Sequence, residues 1–148
     1  MNIEEQFDKY VDYLEQLSPA NISQFEDFVS NDVRFKDPFN DVKGDREVRK
    51  IFNRMLDDLP LHKFKALNRV CGHQSAMMQW QFWPNKDKTL VIEGTSFIRF
   101  DSLGQVSEHL DYWDTSSELY AKLPVIGLPT QWLLKTTASP PKFLRRSR

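Results

Sequence analysis

The hydrophobic residues of this chain change their spacing at Pro60, and this change constrains the fold more than any other feature. Before Pro60 apolar residues recur at helical spacing, and after it they alternate at period two. Helical segments followed by a run of strands are typical of an α+β domain, in which helices pack on one face of an antiparallel sheet. The sequence of 148 residues is long enough for one such domain with a substantial core.

Three amphipathic segments precede Pro60. The spacing predicts a first helix over residues 3–17, a shorter helix capped by Asn21, and a third helix that Gly44 and Asp45 open and Pro60 ends. The apolar stripes of these helices are Ile3, Phe7, Tyr10, Val11, Leu14 and Leu17 in the first, Ile22, Phe25, Phe28 and Val29 in the second, and Val48, Ile51, Phe52, Met55, Leu56 and Leu59 in the third.

The region after Pro60 predicts four antiparallel strands separated by turn residues. Gly94 interrupts the third of these strands, where we expect a bulge or a sharp bend. A sheet bent at Gly94 around the helices would leave a concave interior. Beyond the sheet, Thr115 and Glu118 have capping-box spacing for a further helix, and a short helix is predicted around residues 131–135. The predicted strands cover residues 64–71, 74–83, 89–100 and 105–114.

A short strand before the third helix ends in Asp37, which a proline follows. Side chains alternate across a strand, so Asp37 shares a face with Val33 and Phe35. A carboxyl group at the end of an apolar face loses hydration, which raises its pKa and suits it to accept a proton. The alternative interpretation is a surface acid in a turn, since Asp-Pro pairs commonly start turns.

Charge divides the chain into a domain and a tail. The net charge of −1 favours neither nucleic acid nor an acidic partner, and we predict no nucleic-acid binding. Five bases and no acids lie from Lys135 onward. Gly127, Pro129, Pro140 and Pro141 interrupt the chain here, and we expect a domain over residues 1–124 and a basic, proline-containing tail over residues 125–148. The tail is predicted to be a solvated end, with contact to an anionic membrane surface as the alternative.

Cysteine usage and the N-terminus favour a cytoplasmic protein. Cys71 is the only cysteine, so no internal disulfide can form, and its apolar segment predicts a small core residue. The N-terminus begins with an acidic amphipathic stretch, which is not the pattern of a signal peptide. No apolar run approaches the length of a membrane span.

Four segments resemble those of nuclear transport factor 2-like proteins in their order and spacing. Within that group the chain is similar to the SnoaL-like and ketosteroid isomerase-like members. The resemblance implies the cystatin-like α+β roll, in which a cone-shaped, curved antiparallel sheet wraps around N-terminal helices. It also implies a hydrophobic small-molecule ligand in the cone and a homodimer formed through the outer sheet face. The matching segments cover residues 10–14, 33–39, 93–101 and 106–114.

The resemblance also implies catalytic roles. Ketosteroid isomerases use an aspartate base, while a tyrosine and a protonated aspartic acid stabilise the oxyanion. Asp37 matches the base, and Tyr10 matches the oxyanion tyrosine, with Tyr13 as the second choice. Ser96 falls where the protonated acid is expected. Because losing one oxyanion donor typically costs about 10²–10³ in rate, this departure favours ligand binding without chemistry as an alternative.

The last predicted strand contains a second constellation. Alternation places His109, Asp111 and Trp113 on one face, and SnoaL-like cyclases, which this region resembles, use an aspartate there as general acid or base. An imidazole beside a carboxylate can pass protons near neutral pH. The alternative is a polar patch in which His109 and Asp111 simply pair. Strand register decides which face meets the cavity, and the sequence leaves it open.

The hypothesis that follows is an isomerase or cyclase that acts on a hydrophobic small molecule without a cofactor. No metal site is expected, because His62 and His73 have no partner at metal-ligand spacing. Asp37 would be the base, Tyr10 would support the enolate, and His109 or Asp111 would return the proton. Arg99 would hold a carboxylate in the cavity, or pair with Glu93 outside it. The predicted ligand contacts are Tyr13, Phe35, Phe52, Trp80, Ser96, Arg99 and Trp113.

Overall fold

A computed structural model describes residues 1–86 and 90–115, which fold into helices packed on one six-stranded sheet. The elements, in chain order, are α1 (Ile3–Glu15), a 3-10 helix (Ile22–Asp27), β1 (Val29–Lys36), β2 (Asp41–Lys43), α2 (Asp45–Asp58), β3 (Lys63–Cys71), β4 (Ser75–Trp83), β5 (Ile92–Phe100) and β6 (Val106–Tyr112).

The strand order in the sheet is β2-β1-β6-β5-β4-β3. All neighbouring strands are antiparallel except β1 and β6, which run parallel. Within the described residues β1 is the first strand and β6 the last, so their pairing joins distant parts of the sequence inside the sheet. The predicted α+β architecture with a curved sheet and N-terminal helices is confirmed.

The two α-helices form where their apolar stripes predict them. The side chain of Asn2 caps α1 by accepting a hydrogen bond from the Glu5 backbone N–H at 3.4 Å, and the whole apolar stripe of α1 is buried. α1 packs against β3 and β4, whereas α2 packs against β1. Pro60 follows α2 two residues after its last residue, as predicted. These contacts place the core between the helices and the inner sheet face.

The second predicted helix is a single 3-10 segment, and Asn21 does not cap it. The Asn21 side chain instead accepts from the Ser18 backbone N–H at 2.8 Å and donates to the Gln16 carbonyl at 2.9 Å, so it closes the preceding turn. Val29, which was expected on this helix, begins β1. The short strand β2 was not predicted from the sequence.

At Gly94 the indole ring of Trp80 approaches the backbone closely, and the strand does not form the expected bulge there. The register between β4 and β5 is continuous through the Trp80–Gly94 pair. A Cβ atom at Gly94 would lie 2.6 Å from Trp80 Cη2, so glycine leaves room for the indole ring. The register shifts of the described sheet lie elsewhere, between Val29 and Arg34 in β1, between Ala66 and Asn68 in β3, and beside Phe100 in β5.

Cys71 is exposed, so its prediction as a core residue is wrong. It ends β3, an edge strand whose residues after Ala66 are all exposed. The apolar pattern of this segment therefore reflects a strand with little burial on either face.

Several expectations lie outside the described residues. They are the helix opened by Thr115, the short helix around residues 131–135, the domain boundary at residue 124, and the basic tail. Within the described part of the chain, no helix is both long enough and apolar enough to cross a membrane.

Candidate functional site

The helices and the inner sheet face surround an apolar cavity of about 110 Å³. Four polar side chains line it, namely those of Asp37, His62, His109 and Asp111. The remaining lining residues are Leu14, Leu17, Phe35, Ile51, Phe52, Met55, Phe64, Trp80, Phe82, Ile92 and Trp113. A small apolar ligand would therefore meet ionisable groups at only a few points on its surface.

Asp37 follows β1 directly and is 9% exposed. Its Oδ1 accepts hydrogen bonds from the backbone N–H groups of Phe39 and Asn40, both at 2.7 Å. The Asn40 side-chain amide lies 3.1 Å from each carboxyl oxygen. Burial outweighs these bonds and, with the nearby charge of Asp111, raises the pKa of Asp37 to about 6.

The structure shows which face of β6 meets the cavity: His109, Asp111 and Trp113 all line it. The parallel pairing of β1 with β6 matches Lys36 with Leu110, which places Asp37 at the level of Asp111. Two carboxyl groups that lie far apart in the sequence therefore share one apolar cavity.

Asp111 is held by a chain of hydrogen bonds from the sheet. Trp80 Nε1 donates to Ser96 Oγ at 2.9 Å, and because an indole nitrogen can only donate, the Ser96 hydroxyl hydrogen is available for Asp111. Ser96 donates that hydrogen to Asp111 Oδ1. His109 Nε2 lies 2.8 Å from the same oxygen. Both bonds fall on Oδ1, and no residue in the described part of the chain bonds Oδ2.

Tyr10 completes this network from α1. Its Oη lies 2.9 Å from His109 Nδ1, and both side chains are buried. With Nε2–H donated to Asp111, Nδ1 of a neutral imidazole is an acceptor, so the Tyr10 hydroxyl donates to it. Burial raises the pKa of Tyr10 well above its ordinary value, and the charge of Asp111 adds to this effect. Tyr10 thus remains a hydrogen-bond donor that fixes the orientation of the His109 ring.

The cavity lining includes Asp37, His109 and Asp111 of the predicted catalytic residues, and Phe35, Phe52, Trp80 and Trp113 of the predicted ligand contacts. Tyr10 and Ser96 lie behind the lining, where they bond to His109 and Asp111 instead of facing the cavity.

Two predicted contacts lie away from the cavity. Tyr13 stacks on Phe28, and its hydroxyl donates to the Asn21 carbonyl at 3.3 Å. Arg99 is exposed and lies 4.0 Å from Glu108, which pairs with it across β5 and β6. The expectation that Arg99 holds a carboxylate in the cavity is wrong, because its side chain projects from the outer face of the sheet.

Among the polar residues of the cavity lining, His62 is the one that was not predicted as a site residue. It lies between α2 and β3, where a lone histidine in a turn carries no periodic signal. Its Nδ1 is 2.9 Å from the Leu59 carbonyl oxygen, and its ring stacks on Phe82 with 5.8 Å between centroids. Among the described residues, no cluster of three histidine, cysteine or acidic side chains could hold a metal ion.

The fold and this site define an α+β roll whose apolar cavity carries paired acidic groups. The sequence matches the SnoaL-like domain family over residues 10–109, which is more than half of the chain. The chain therefore belongs to the SnoaL-like domain family. A search among curated protein sequences gives no match.

Solved structures share the same architecture. One is described as a SnoaL-like polyketide cyclase from Jannaschia (TM-score 0.69, 11% identity), and the alignment covers 83% of this chain and 92% of that one. Another is a steroid delta-isomerase from Pseudomonas aeruginosa (TM-score 0.65, 14% identity, 90% and 89% covered). A de novo designed protein with a curved β-sheet is also similar (TM-score 0.59, 16% identity, 90% and 94% covered). At these identities the likeness shows the fold alone.

Proposed function

We propose that this protein binds a small apolar carbonyl compound in the cavity and transfers a proton at the carbon beside the carbonyl group. Asp37 would be the general base. The observation that carries the proposal is the position of Asp37, a buried carboxyl group in an apolar cavity wall with a pKa of about 6. A base whose pKa lies close to the working pH transfers protons efficiently.

The hydrogen bonds of Asp37 favour one of its oxygens as the base. Oδ1 accepts both backbone N–H groups, whereas Oδ2 has only the Asn40 amide at 3.1 Å. Oδ2 is therefore the better proton acceptor. In the reaction the ligand C–H bond breaks, its proton goes to Asp37, and its electron pair moves to the carbonyl oxygen to form an enolate. Return of the proton to the same or another carbon completes an exchange or an isomerisation.

The enolate oxygen needs a hydrogen-bond donor in the cavity. Trp113 lines the cavity, and its indole N–H has no hydrogen-bond partner among the described residues. The indole N–H of Trp80 already donates a hydrogen bond to Ser96, and both ring nitrogens of His109 are already hydrogen-bonded. We therefore assign the oxyanion contact to Trp113 in place of Tyr10.

Asp111 is the second acid or base in this scheme. Its Oδ1 is held by Ser96 and His109, so the carboxyl group is fixed in orientation, while Oδ2 has no partner among the described residues. An aspartate so placed could return a proton to a ligand carbon that Asp37 does not reach. His109 would orient Asp111 through its Nε2–H, and Tyr10 would fix the His109 ring.

Deuterium exchange tests the proposal without knowledge of the natural substrate. The purified protein is incubated with 2-acetylnaphthalene in D2O, and loss of the acetyl proton signal is followed by NMR. We expect catalysed exchange by the wild-type protein and a loss of about 10²-fold or more in Asp37→Asn, because general bases contribute rate factors of this order. Asp41→Asn is the matched control, since Asp41 is an exposed partner of Arg34. Equal exchange in wild type and Asp37→Asn would refute the base assignment.

A second candidate function is ligand binding without chemistry. It is favoured by one observation: the hydroxyl groups of Tyr10 and Ser96 bond inside the protein and do not line the cavity. Saturable binding of 2-acetylnaphthalene with no exchange above the rate in buffer would support this candidate over the first.

A further inference from the structure

The polar groups of the cavity lie in two separate places. Asp37 follows β1, and His109 and Asp111 lie on β6, the strand beside it. His62 precedes β3, and three strands, β6, β5 and β4, separate β3 from β1. At about 4.8 Å for each step between strands, His62 lies up to roughly 19 Å from Asp37 along the sheet. Curvature of the sheet makes the direct path through the cavity shorter.

The lining beside His62 is apolar. Phe64 and Phe82 pair across β3 and β4, and Ile92 pairs with Phe82 on β5, and all three line the cavity. A ligand that reaches from Asp37 to His62 would therefore be apolar in its middle and polar at its two ends.

The hydrogen bond to Leu59 determines what His62 can offer a ligand. A carbonyl oxygen only accepts, so Nδ1 of His62 carries the hydrogen in their 2.9 Å contact. In the neutral imidazole, Nε2 is then an acceptor, and no residue in the described segments bonds it. Stacking on Phe82, with an angle of 21° between the rings, holds the imidazole in one orientation. His62 is thus an oriented acceptor in an apolar wall.

We propose that His62 is a second ligand-binding residue, which accepts a hydrogen bond from a hydroxyl group at the end of the ligand far from Asp37. The proposal rests on the proposed function and narrows its ligand class to elongated apolar carbonyl compounds that carry a hydroxyl group. A hydroxyl group satisfies the Nε2 acceptor, whereas an ether oxygen at the same position cannot.

Three naphthalene probes test this assignment by fluorescence titration, at a pH where the naphthol hydroxyl stays neutral. They are 6-hydroxy-2-acetylnaphthalene, its 6-methoxy derivative, and 2-acetylnaphthalene. We expect the wild-type protein to bind the hydroxy probe about fivefold to tenfold more tightly than the methoxy probe, which is the usual effect of one hydrogen bond. The same preference is expected in His73→Asn, because His73 lies in the turn before β4 and does not line this cavity.

Two variants separate the ligand contact from a structural role. In His62→Asn the side-chain amide can still donate to the Leu59 carbonyl, but the acceptor at the position of Nε2 is lost. In His62→Phe both are lost. The preference for the hydroxy probe is expected to fall to about one in both variants. This preference is a ratio of two affinities in the same variant, so a general loss of affinity does not change it.

The outcomes distinguish this proposal from the proposed function. An unchanged hydroxy preference in His62→Asn would overturn the His62 assignment and leave the Asp37 exchange chemistry intact. Loss of exchange in Asp37→Asn, together with loss of the hydroxy preference in His62→Asn, would support both. If the wild-type protein binds none of the three probes, both proposals fail.

Discussion

Tyr10 Oη lies 2.9 Å from His109 Nδ1 in the protein interior, although 99 positions separate the two residues in the chain. This bond joins α1 to β6 and leads on to Asp111 through the other ring nitrogen of His109. The resemblance to ketosteroid isomerases implied a tyrosine that contacts the ligand. In this chain the tyrosine contacts the residue that holds the second aspartate.

Tyr10→Phe should lower stability more than it lowers exchange. The substitution leaves His109 Nδ1 buried without its donor, which costs about 1–3 kcal/mol in the free energy of unfolding. Urea denaturation measures this change, and the ¹⁵N shift of His109 Nδ1 by NMR reports loss of the bond. Exchange of 2-acetylnaphthalene should fall less than tenfold, because Tyr10 does not line the cavity.

The control for Tyr10→Phe is Tyr13→Phe, whose hydroxyl bond to Asn21 is longer and only partly buried. Its cost should remain below about 1 kcal/mol. A drop in exchange of 10²-fold or more in a well-folded Tyr10→Phe would instead make Tyr10 the oxyanion donor.

Asp37→Asn should change how stability depends on pH. The folded state raises the pKa of Asp37 from its ordinary value near 4 to about 6, so between these values the folded chain binds more protons than the unfolded chain. Stability therefore falls as the pH rises through this window, by about 3 kcal/mol at pH 7. Asparagine does not titrate, so the free energy of unfolding of the variant should depend less on pH between about 4 and 6. The variant should therefore be more stable than the wild type at neutral pH. Urea denaturation from pH 4 to pH 8 measures the effect.

Asp41→Asn should change the pH dependence of stability in the opposite direction to Asp37→Asn. Arg34 lowers the pKa of Asp41, so its ionised form stabilises the folded state, and this contribution disappears as the pH falls. The exposed position of Asp41 makes the change small. Parallel pH profiles for wild type and Asp37→Asn would show that Asp37 is not buried as described.

The sequence predicted most of the fold and part of the site. Alternation along β6 grouped His109, Asp111 and Trp113 correctly, since local periodicity carries that information. The face that meets the cavity could not be predicted, because it depends on the parallel pairing with β1. The hydrogen-bond partner of Tyr10 could not be predicted either, because a contact between residues far apart in the chain leaves no local pattern in the sequence. His62 was missed for a related reason, since only the stacking on Phe82 and the bond to Leu59 give it a role.

Gly94→Ala should destabilise the protein by about 1–3 kcal/mol through overpacking. The new methyl group would meet the buried indole of Trp80, which is held by its bond to Ser96. Thermal unfolding measures the loss. In a Trp80→Phe background the same substitution should cost less, because phenylalanine lacks the outer ring that approaches Gly94.

Gly72→Ala is the matched control for Gly94→Ala, since its nearest atom is the hydroxyl of Ser75 at 3.3 Å, which can move away. It should change stability by less than about 0.5 kcal/mol, as surface substitutions usually do. Equal costs at the two glycines would argue against the close approach of Trp80.

The outer sheet face is expected to form a homodimer, and Met77→Lys tests it. Met77, Phe97 and Leu110 form one paired row across β4, β5 and β6, and Met77 is exposed. A charge in this row would oppose burial at an interface, so sedimentation should show a shift from dimer to monomer. Leu103→Lys, in the exposed turn between β5 and β6, should leave the mass unchanged. A monomeric wild-type protein would refute the homodimer.

The parallel pairing of β1 with β6 also determines when the site can first exist. A ribosome must release nearly the whole domain before the strand that carries Asp111 can lie beside the strand that ends at Asp37. Such distant pairing slows folding, because a long loop must close before its contacts form. The two carboxyl groups consequently cannot share the cavity in a nascent chain that ends before β6. A nascent chain of this protein therefore cannot carry out the proposed proton transfer before the domain is complete.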